Sequence, residues 1–260
     1  MCTFTLVSTT SVNDIRTSHI HPHSPWNIIR RIQQSNIVAV LKIKECFISC
    51  FLLGAASFVD IAFLEVFPVL AATDPKYKGL GFDTSEIGIS LMVVSTLLLF
   101  LQIAIFPKLH KMLGCRRALV ISNLGLTLLL PMLPTVAVIR DKTALWTCLF
   151  LLLFLVLSCI FMTKLSINIL ISNSVTPELL GSANDVGILF ASLGRLIAPL
   201  LSGSLYAWSL TNIKGVEGNK KPLGFPFNQF FAFYVLSAST VLLALFASTL
   251  SPDMERKKIK

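Results

Sequence analysis

The sequence predicts an all-α membrane protein with six transmembrane helices. Of its 260 residues, 54% are hydrophobic and only 13% are charged, and the mean hydropathy is +0.78. Apolar runs of about 20 residues can cross a hydrocarbon core roughly 30 Å thick. Backbone polar groups cannot stay unpaired in lipid, so such runs must be helical. The short alternating segments typical of a membrane β-barrel are not found in the sequence.

The six predicted spans occupy most of the chain, in this order: 46–71, 86–107, 118–139, 145–172, 182–207 and 228–250. Residues 1–27 are rich in Ser, Thr, His, Asn and Pro, which is typical of a disordered tail. They lack the pattern of a signal peptide, so we expect the first span to direct the chain to the membrane. Residues 28–44 suit an interfacial helix or linker. Residues 46–250 form the predicted membrane domain, and residues 251–260 a basic tail.

The positive charges flank the apolar runs, and their distribution predicts an orientation. The net charge of +9 does not form the stripe that a nucleic-acid-binding protein would carry. Twelve Lys or Arg residues lie on one predicted side (30, 31, 42, 44, 108, 111, 116, 117, 256, 257, 258 and 260) and seven on the other (76, 78, 140, 142, 214, 220 and 221). The positive-inside rule therefore places both termini in the cytoplasm. The sequence does not distinguish the plasma membrane from a vacuolar or other internal membrane.

The sequence offers neither a catalytic set nor a cofactor motif. Its six cysteines form no CxxC pair and are read as small apolar residues in helix packing. Imidazoles at His19, His21 and His23 bind zinc or copper in other settings, but no carboxylate or cysteine cluster accompanies them, so no metal site is expected. A Walker loop is also missing, which excludes direct use of ATP by this polypeptide. We expect a protein that is not an enzyme and holds no cofactor.

Three stretches carry a family resemblance. Residues 106–117 (FPKLHKMLGCRR) resemble a degenerate form of the basic loop GxxxDRxGRR of the major facilitator superfamily, in which Gly114, Arg116 and Arg117 match and Lys111 replaces the acid. Residues 171–199 (ISNSVTPELLG, then SANDVG, then LGRLIAP) resemble the loop and eleventh helix of fungal and plant carriers allied to zinc-induced facilitators and drug-proton antiporters. The third stretch resembles the seventh helix of the same carriers and the loop that follows it. It comprises residues 65–68 (EVFP), 79–82 and 86–88.

The resemblance implies that residues 46–250 are helices seven to twelve of a twelve-helix major facilitator, which is one half-bundle of that fold. In that fold the solute site lies near the bilayer midplane between two halves that rock against each other. The basic loop then implies a tight turn at Gly114 with cations held on the inner surface.

Charged residues inside a membrane span are costly and indicate function. Asp60 and Glu65 lie in the first span, about 140° apart around the helix, so they cannot face the same partner. One is expected to face a central cavity and the other a neighbouring helix. A carboxylate in a medium of low dielectric can exchange protons near neutral pH, as proton coupling requires. The alternative is a structural ion pair with Lys164 or Arg195.

Lys164 lies about two turns from the predicted cytoplasmic end of the fourth span. Its ammonium group could snorkel to that surface. Asn168 and Ser172 follow at helical spacing on the same face. This face either contacts a solute or forms a solvated helix end.

The fifth span combines a packing ridge with a polar stripe. Gly187, Ala191, Gly194 and Ala198 form a line of small residues that allows close approach of another helix. Beside it lie the polar or helix-breaking residues Asn184, Asp185, Ser192, Arg195 and Pro199. Asn184 and Asp185 either line a cavity or cap the start of the helix. Arg195 lies deeper, where it pairs with an acid or lines a cavity.

Two functions are compatible with these features. The first is a secondary transporter, or its C-terminal half, that moves a small organic or metal-chelating solute by proton-coupled alternating access in the lipid bilayer. It would need a missing N-terminal half or a second copy. The second is a truncated membrane protein that does not transport and acts as a partner or regulatory subunit.

Overall fold

The computed structural model describes residues 36–214, 227 and 230–250 of the chain, and these form a helical bundle. The helices are α1 (Asn36–Lys42), α2 (Lys44–Ala72), α3 (Thr84–Ala104), α4 (Phe106–Leu113), α5 (Cys115–Met132), α6 (Lys142–Ser174), α7 (Leu180–Lys214) and α8 (Phe231–Ser248). Short 3-10 turns occupy Pro75–Tyr77, Leu133–Val138 and Pro177–Leu179.

Six of the described helices are long and apolar enough to cross a membrane, which confirms the predicted fold class. They are α2, α3, α5 with its 3-10 extension, α6, α7 and α8. The predicted tails at 1–27 and 251–260, and the three tail histidines, lie outside the described residues. The predicted segment 28–44 is described only from residue 36, where α1 begins.

The helix ends follow from local chemistry. The Glu86 carboxylate accepts the Asp83 N–H at 3.0 Å, so α3 begins two residues before the predicted span. The Asp141 carboxylate accepts the Ala144 N–H at 3.0 Å and caps α6 in the same way. At its other end α3 breaks at Ile105, because Pro107 has no N–H to continue the ladder of hydrogen bonds. Helix α7 runs seven residues past the predicted end at 207.

Helix α2 lies at the centre of the bundle and packs against α6, α7 and α8, while α5 packs against α6 and α8. Large apolar side chains fill the core between them, including Phe63, Phe67, Leu130, Leu149 and Phe233. Hydroxyl pairs join the helices within this core: Ser122 to Thr163 at 2.8 Å and Thr127 to Thr240 at 2.9 Å. These hydrogen bonds satisfy hydroxyl groups that would otherwise be costly to bury within the membrane.

Helices α3 and α7 are the least buried of the six spans. In their most apolar stretches only 17% and 28% of the residues are buried inside the bundle, against 56% for α2. The bundle therefore has two broad faces that it does not cover itself. We call the end of the bundle that carries Lys108, Lys111, Arg116 and Arg117 the basic end; α2 begins there and α6 ends there.

Candidate functional site

Asp60 of α2 and Lys164 of α6 form an ion pair inside the bundle. The Lys164 ammonium donates a hydrogen bond to Oδ2 of Asp60. The exposed fractions of the two side chains are 12% for Asp60 and 23% for Lys164. It is the one ion pair among the described residues. The structure thus joins Lys164 to an acid instead of directing it toward the membrane surface.

A polar track continues from this pair along one face of α6 toward the basic end. We define the α6 track as Lys164, Asn168 and Ser172, which lie one helical turn apart. The Ser172 hydroxyl donates to the Asn168 carbonyl at 3.0 Å, whereas the Asn168 side chain is exposed. The track ends in a cavity of about 460 Å³ at the turn between α6 and α7. Its lining residues are Asn168, Ile169, Ser172, Asn173, Val175, Pro177 and Leu180.

The cavity has chemistry suited to a small polar organic molecule. Two amides and a hydroxyl supply hydrogen-bonding groups, and the other four lining side chains are apolar. Ligand pockets of a few hundred cubic ångströms commonly combine an apolar lining with a few polar groups. The described residues contain no group of three His, Cys, Asp or Glu side chains that could hold a metal ion.

Glu65 is not part of this arrangement. It is exposed on α2, on a different face from the buried Asp60. Helix α2 continues past it to Ala72 even though Pro68 lies inside the helix. The two acids of the first span thus occupy different environments, with one held in the ion pair and the other on the outer surface of the bundle.

The small residues of α7 lie against α2. Gly187, Ala191 and Ala198 are buried, and Gly194 is half-buried. A Cβ atom added to Gly194 would lie 2.1 Å from the Gly54 carbonyl oxygen, far closer than atoms can approach. The backbones of the two helices therefore touch at this crossing, which only glycine permits.

The polar residues of α7 lie beside this ridge, on the uncovered side of the helix. Asn184, Asp185, Ser192 and Arg195 are all exposed. Because α7 begins at Leu180, Asn184 and Asp185 lie in its second turn, beyond the positions that cap a helix. The Ser192 hydroxyl donates to the Ile188 carbonyl of its own helix at 2.8 Å. None of these four side chains makes a hydrogen bond or an ion pair with Asp60 or Lys164.

The segment read as a basic loop contains a helix. Residues 106–113 form α4, and Gly114 separates it from α5 with a φ of +78°, a conformation that favours glycine. The Arg116 guanidinium donates a hydrogen bond to the Ser248 carbonyl at the end of α8. Arg117 is exposed. The turn at Gly114 thus directs one arginine onto the bundle and leaves the other at its surface.

His110 of α4 is a buried polar residue that the sequence reading did not select. Its Nε2 lies 3.2 Å from the Ser166 hydroxyl of α6, and its Nδ1 has no partner within the described chain. Burial holds the pKa of the His110 imidazole below its ordinary value. The signal that could have identified it is the alternation of Phe106, Leu109, His110 and Leu113 with exposed lysines, which marks a short amphipathic helix.

Comparison with known proteins gives three plant relatives, all from Arabidopsis thaliana. A probable peptide/nitrate transporter is 29% identical over 164 residues, which is 59% of this chain and 31% of the relative. Zinc induced facilitator 1 is 29% identical over 161 residues, and zinc induced facilitator-like 1 is 24% identical over 152 residues. Each of these two matches covers 58% of this chain and 31% of the relative.

No family model and no solved structure matches the sequence. The matched region spans about a third of the length of the curated relatives. By name these relatives are a transporter and facilitators, not enzymes. The resemblance to zinc-induced facilitators that the sequence motifs indicated is therefore confirmed over nearly three fifths of the chain.

Proposed function

We propose that this chain is a secondary active transporter, or the C-terminal half of one, for a small organic or metal-chelating solute. The single observation that carries the proposal is the α6 track, which leads from the buried Asp60–Lys164 pair to the cavity at the basic end. Polar groups inside membrane spans are costly and mark pathways for solutes or ions. The names of the relatives support the same class of function.

Proton coupling is assigned to Asp60. Protonation would remove its charge and weaken the attachment of α6 to α2, which rests on one ion pair at this point. Such a contact has two states, joined and released, and protonation of Asp60 would favour the released one. Asn184, Asp185, Ser192 and Arg195 of α7 are proposed to line the same solute pathway.

The transport cycle needs a second bundle. The uncovered faces of α3 and α7 would be closed by an N-terminal six-helix half or by a second copy of this chain. The distribution of Lys and Arg supports an orientation with both termini in the cytoplasm, so that the basic end faces inward. The cavity at the end of the α6 track would then open to the cytoplasm.

A flux assay in proteoliposomes tests this function. The 260-residue chain is reconstituted, a pH gradient is imposed, and uptake is measured for a panel of small organic solutes and metal chelates. We expect flux that follows the gradient and loses its pH dependence in Asp60→Asn. Glu178→Gln removes an exposed acid in the 3-10 turn before α7 and serves as the matched control.

The second candidate function is a membrane protein that does not transport and acts as a partner or regulatory subunit. The uncovered faces of α3 and α7 favour this function, because a partner bundle could pack against them. Absence of flux across the whole panel, in a sample that is folded and correctly inserted, would exclude independent transport and leave this second function.

A further inference from the structure

Arg195 lies close to the middle of the membrane. Helix α7 has 35 residues and is therefore about 52 Å long. If the helix is centred on a hydrocarbon core about 30 Å thick, the Arg195 Cα lies roughly 3 Å from the midplane and 12 Å from the nearer edge of the core. An arginine side chain cannot reach water over that distance by snorkelling. The charge therefore needs a partner or a water-filled cavity at the depth where it lies.

The described residues supply no such partner. Arg195 is exposed and makes no ion pair or side-chain hydrogen bond there. Asp60 is already occupied by Lys164. Asp185 lies ten residues earlier on α7, about 15 Å away along the helix axis. Glu65 lies eleven residues beyond Gly54, the residue of α2 that touches α7 beside Arg195, and is about 16 Å farther along α2.

The packing of α7 fixes the direction in which Arg195 points. Gly194 touches the backbone of α2, and a Cβ there would lie 2.1 Å from the Gly54 carbonyl oxygen and 3.1 Å from the Phe58 nitrogen. Any rotation of α7 that carried Arg195 toward the core would bring larger side chains into this crossing. The guanidinium group is thus held on the uncovered face.

An acceptor lies beside this donor. Pro199 is inside α7 and has no N–H to offer to the Arg195 carbonyl one turn earlier. That carbonyl is available to a hydrogen-bond donor. One helical turn therefore presents a cation and a backbone oxygen that lacks its usual intrahelical donor. This pairing suits a carboxylate next to an amine or hydroxyl.

We propose that Arg195 binds the carboxylate of the transported solute, and that the solute is a small organic acid. A guanidinium group binds a carboxylate through two parallel hydrogen bonds, which also fixes its orientation. The Arg195 carbonyl accepts a hydrogen bond from an amine or hydroxyl on the same molecule. The inference rests on the proposed transport function, because it identifies this carboxylate as belonging to the solute.

Binding is measured without transport, on the full chain in lipid nanodiscs, as the shift in the midpoint of thermal unfolding caused by a ligand. The probes are succinate, its uncharged diamide and inorganic phosphate. We expect succinate to raise the midpoint and the diamide to leave it unchanged. Arg195→Gln should weaken succinate binding about tenfold or more, and Arg195→Lys should weaken it less, because the charge remains. Arg140→Gln removes an exposed arginine between spans and should bind succinate like the wild type.

The outcomes separate the inference from the transport function. Equal binding of succinate by the wild type and Arg195→Gln would overturn the inference, and so would equal shifts with succinate and the diamide. Phosphate binding without succinate binding would also overturn the inference, because the site would then recognise an inorganic anion and not a carboxylate. A midpoint that falls in Arg195→Gln without ligand would assign Arg195 to a structural contact instead. Arg195-dependent binding in a chain that shows no flux would establish Arg195 as a carboxylate-binding residue and exclude only independent transport.

Discussion

The contact of α2 with α7 and its contact with α6 rest on different chemistry. At the first, two glycines bring the helix backbones together, and the fit depends on the absence of side chains. At the second, one ion pair between a carboxylate and an ammonium group adds a charged contact to the apolar packing of the core. Shape alone decides the first contact, so protonation cannot alter it. The second depends on charge, and one proton is enough to change it.

This difference suggests that some helices of the bundle move together while another shifts relative to them. Helices α2 and α7 would move as one body, because close packing tolerates few alternative arrangements. Helix α6 would be the element that shifts relative to them.

The largest effect is expected for the ion pair. Asp60→Asn leaves Lys164 charged inside the bundle and should cost about 3–5 kcal/mol in the free energy of unfolding. The double variant Asp60→Asn/Lys164→Gln removes both charges and should recover most of that loss. The free energies of unfolding of the two variants are measured in mixed micelles that contain an increasing fraction of denaturing detergent. If the double variant is less stable than either single variant, the two residues do not act as a pair.

The next effect is expected for the glycine crossing. Gly194→Ala adds one methyl group where the Gly54 carbonyl already lies, and overpacking of this kind costs about 1–3 kcal/mol. Gly203→Ala on the same helix meets no atom within 4 Å and should be neutral or slightly stabilising. Thermal unfolding of the two variants compares them directly. Equal stability would show that α2 and α7 do not pack closely at this point.

A smaller effect is expected at His110, which joins α4 to α6. Because its pKa is lowered in the folded chain, the unfolded chain binds a proton near the ordinary value of 6.5 while the folded chain does not. Stability should therefore fall as the pH drops below 6.5, until the lowered pKa is reached. His110→Gln should remove this part of the pH dependence. Hydrogen exchange of residues 106–113 at pH 7.5 and 5.5 measures it, and a slope unchanged in the variant would contradict the prediction.

The smallest effect is expected at the start of α6, far from the ion pair. Asp141→Ala removes the cap on the Ala144 N–H and should cost about 1 kcal/mol. Thr147→Ala, which removes a hydroxyl bonded only within its own turn, is the control. Thermal melting distinguishes them. If Asp141→Ala lowers the free energy of unfolding as much as Asp60→Asn does, the cap at the start of α6 stabilises this helix as much as the ion pair does.

The spans could be predicted from sequence because hydrophobicity and length set them in lipid. Their ends were less predictable, since Asp83 and Asp141 start helices through local hydrogen bonds that a hydropathy pattern does not register. Helix α4 was read as a loop because its eight residues are too few for a periodic pattern to stand out.

The partners of the charged residues could not be settled from sequence. Asp60 and Lys164 are 104 positions apart, and the sequence reading left both an ion pair and a free acid open. The choice depends on the crossing of α2 and α6, which arises from packing over the whole core. His110 was missed for the same reason, because its significance lies in Ser166 of a distant helix. The functional roles of all these residues remain predictions.

The ion pair has an electrical consequence. While Asp60 and Lys164 are joined, the pair carries no net charge. Under the proposed coupling, a proton that neutralises Asp60 leaves the ammonium group uncompensated, so the bundle that carries the proton but no solute gains one positive charge. Moving one elementary charge through a potential of 100 mV changes the free energy by about 2.3 kcal/mol. The carrier should therefore sense membrane voltage, and its turnover should change when the potential is altered at constant pH.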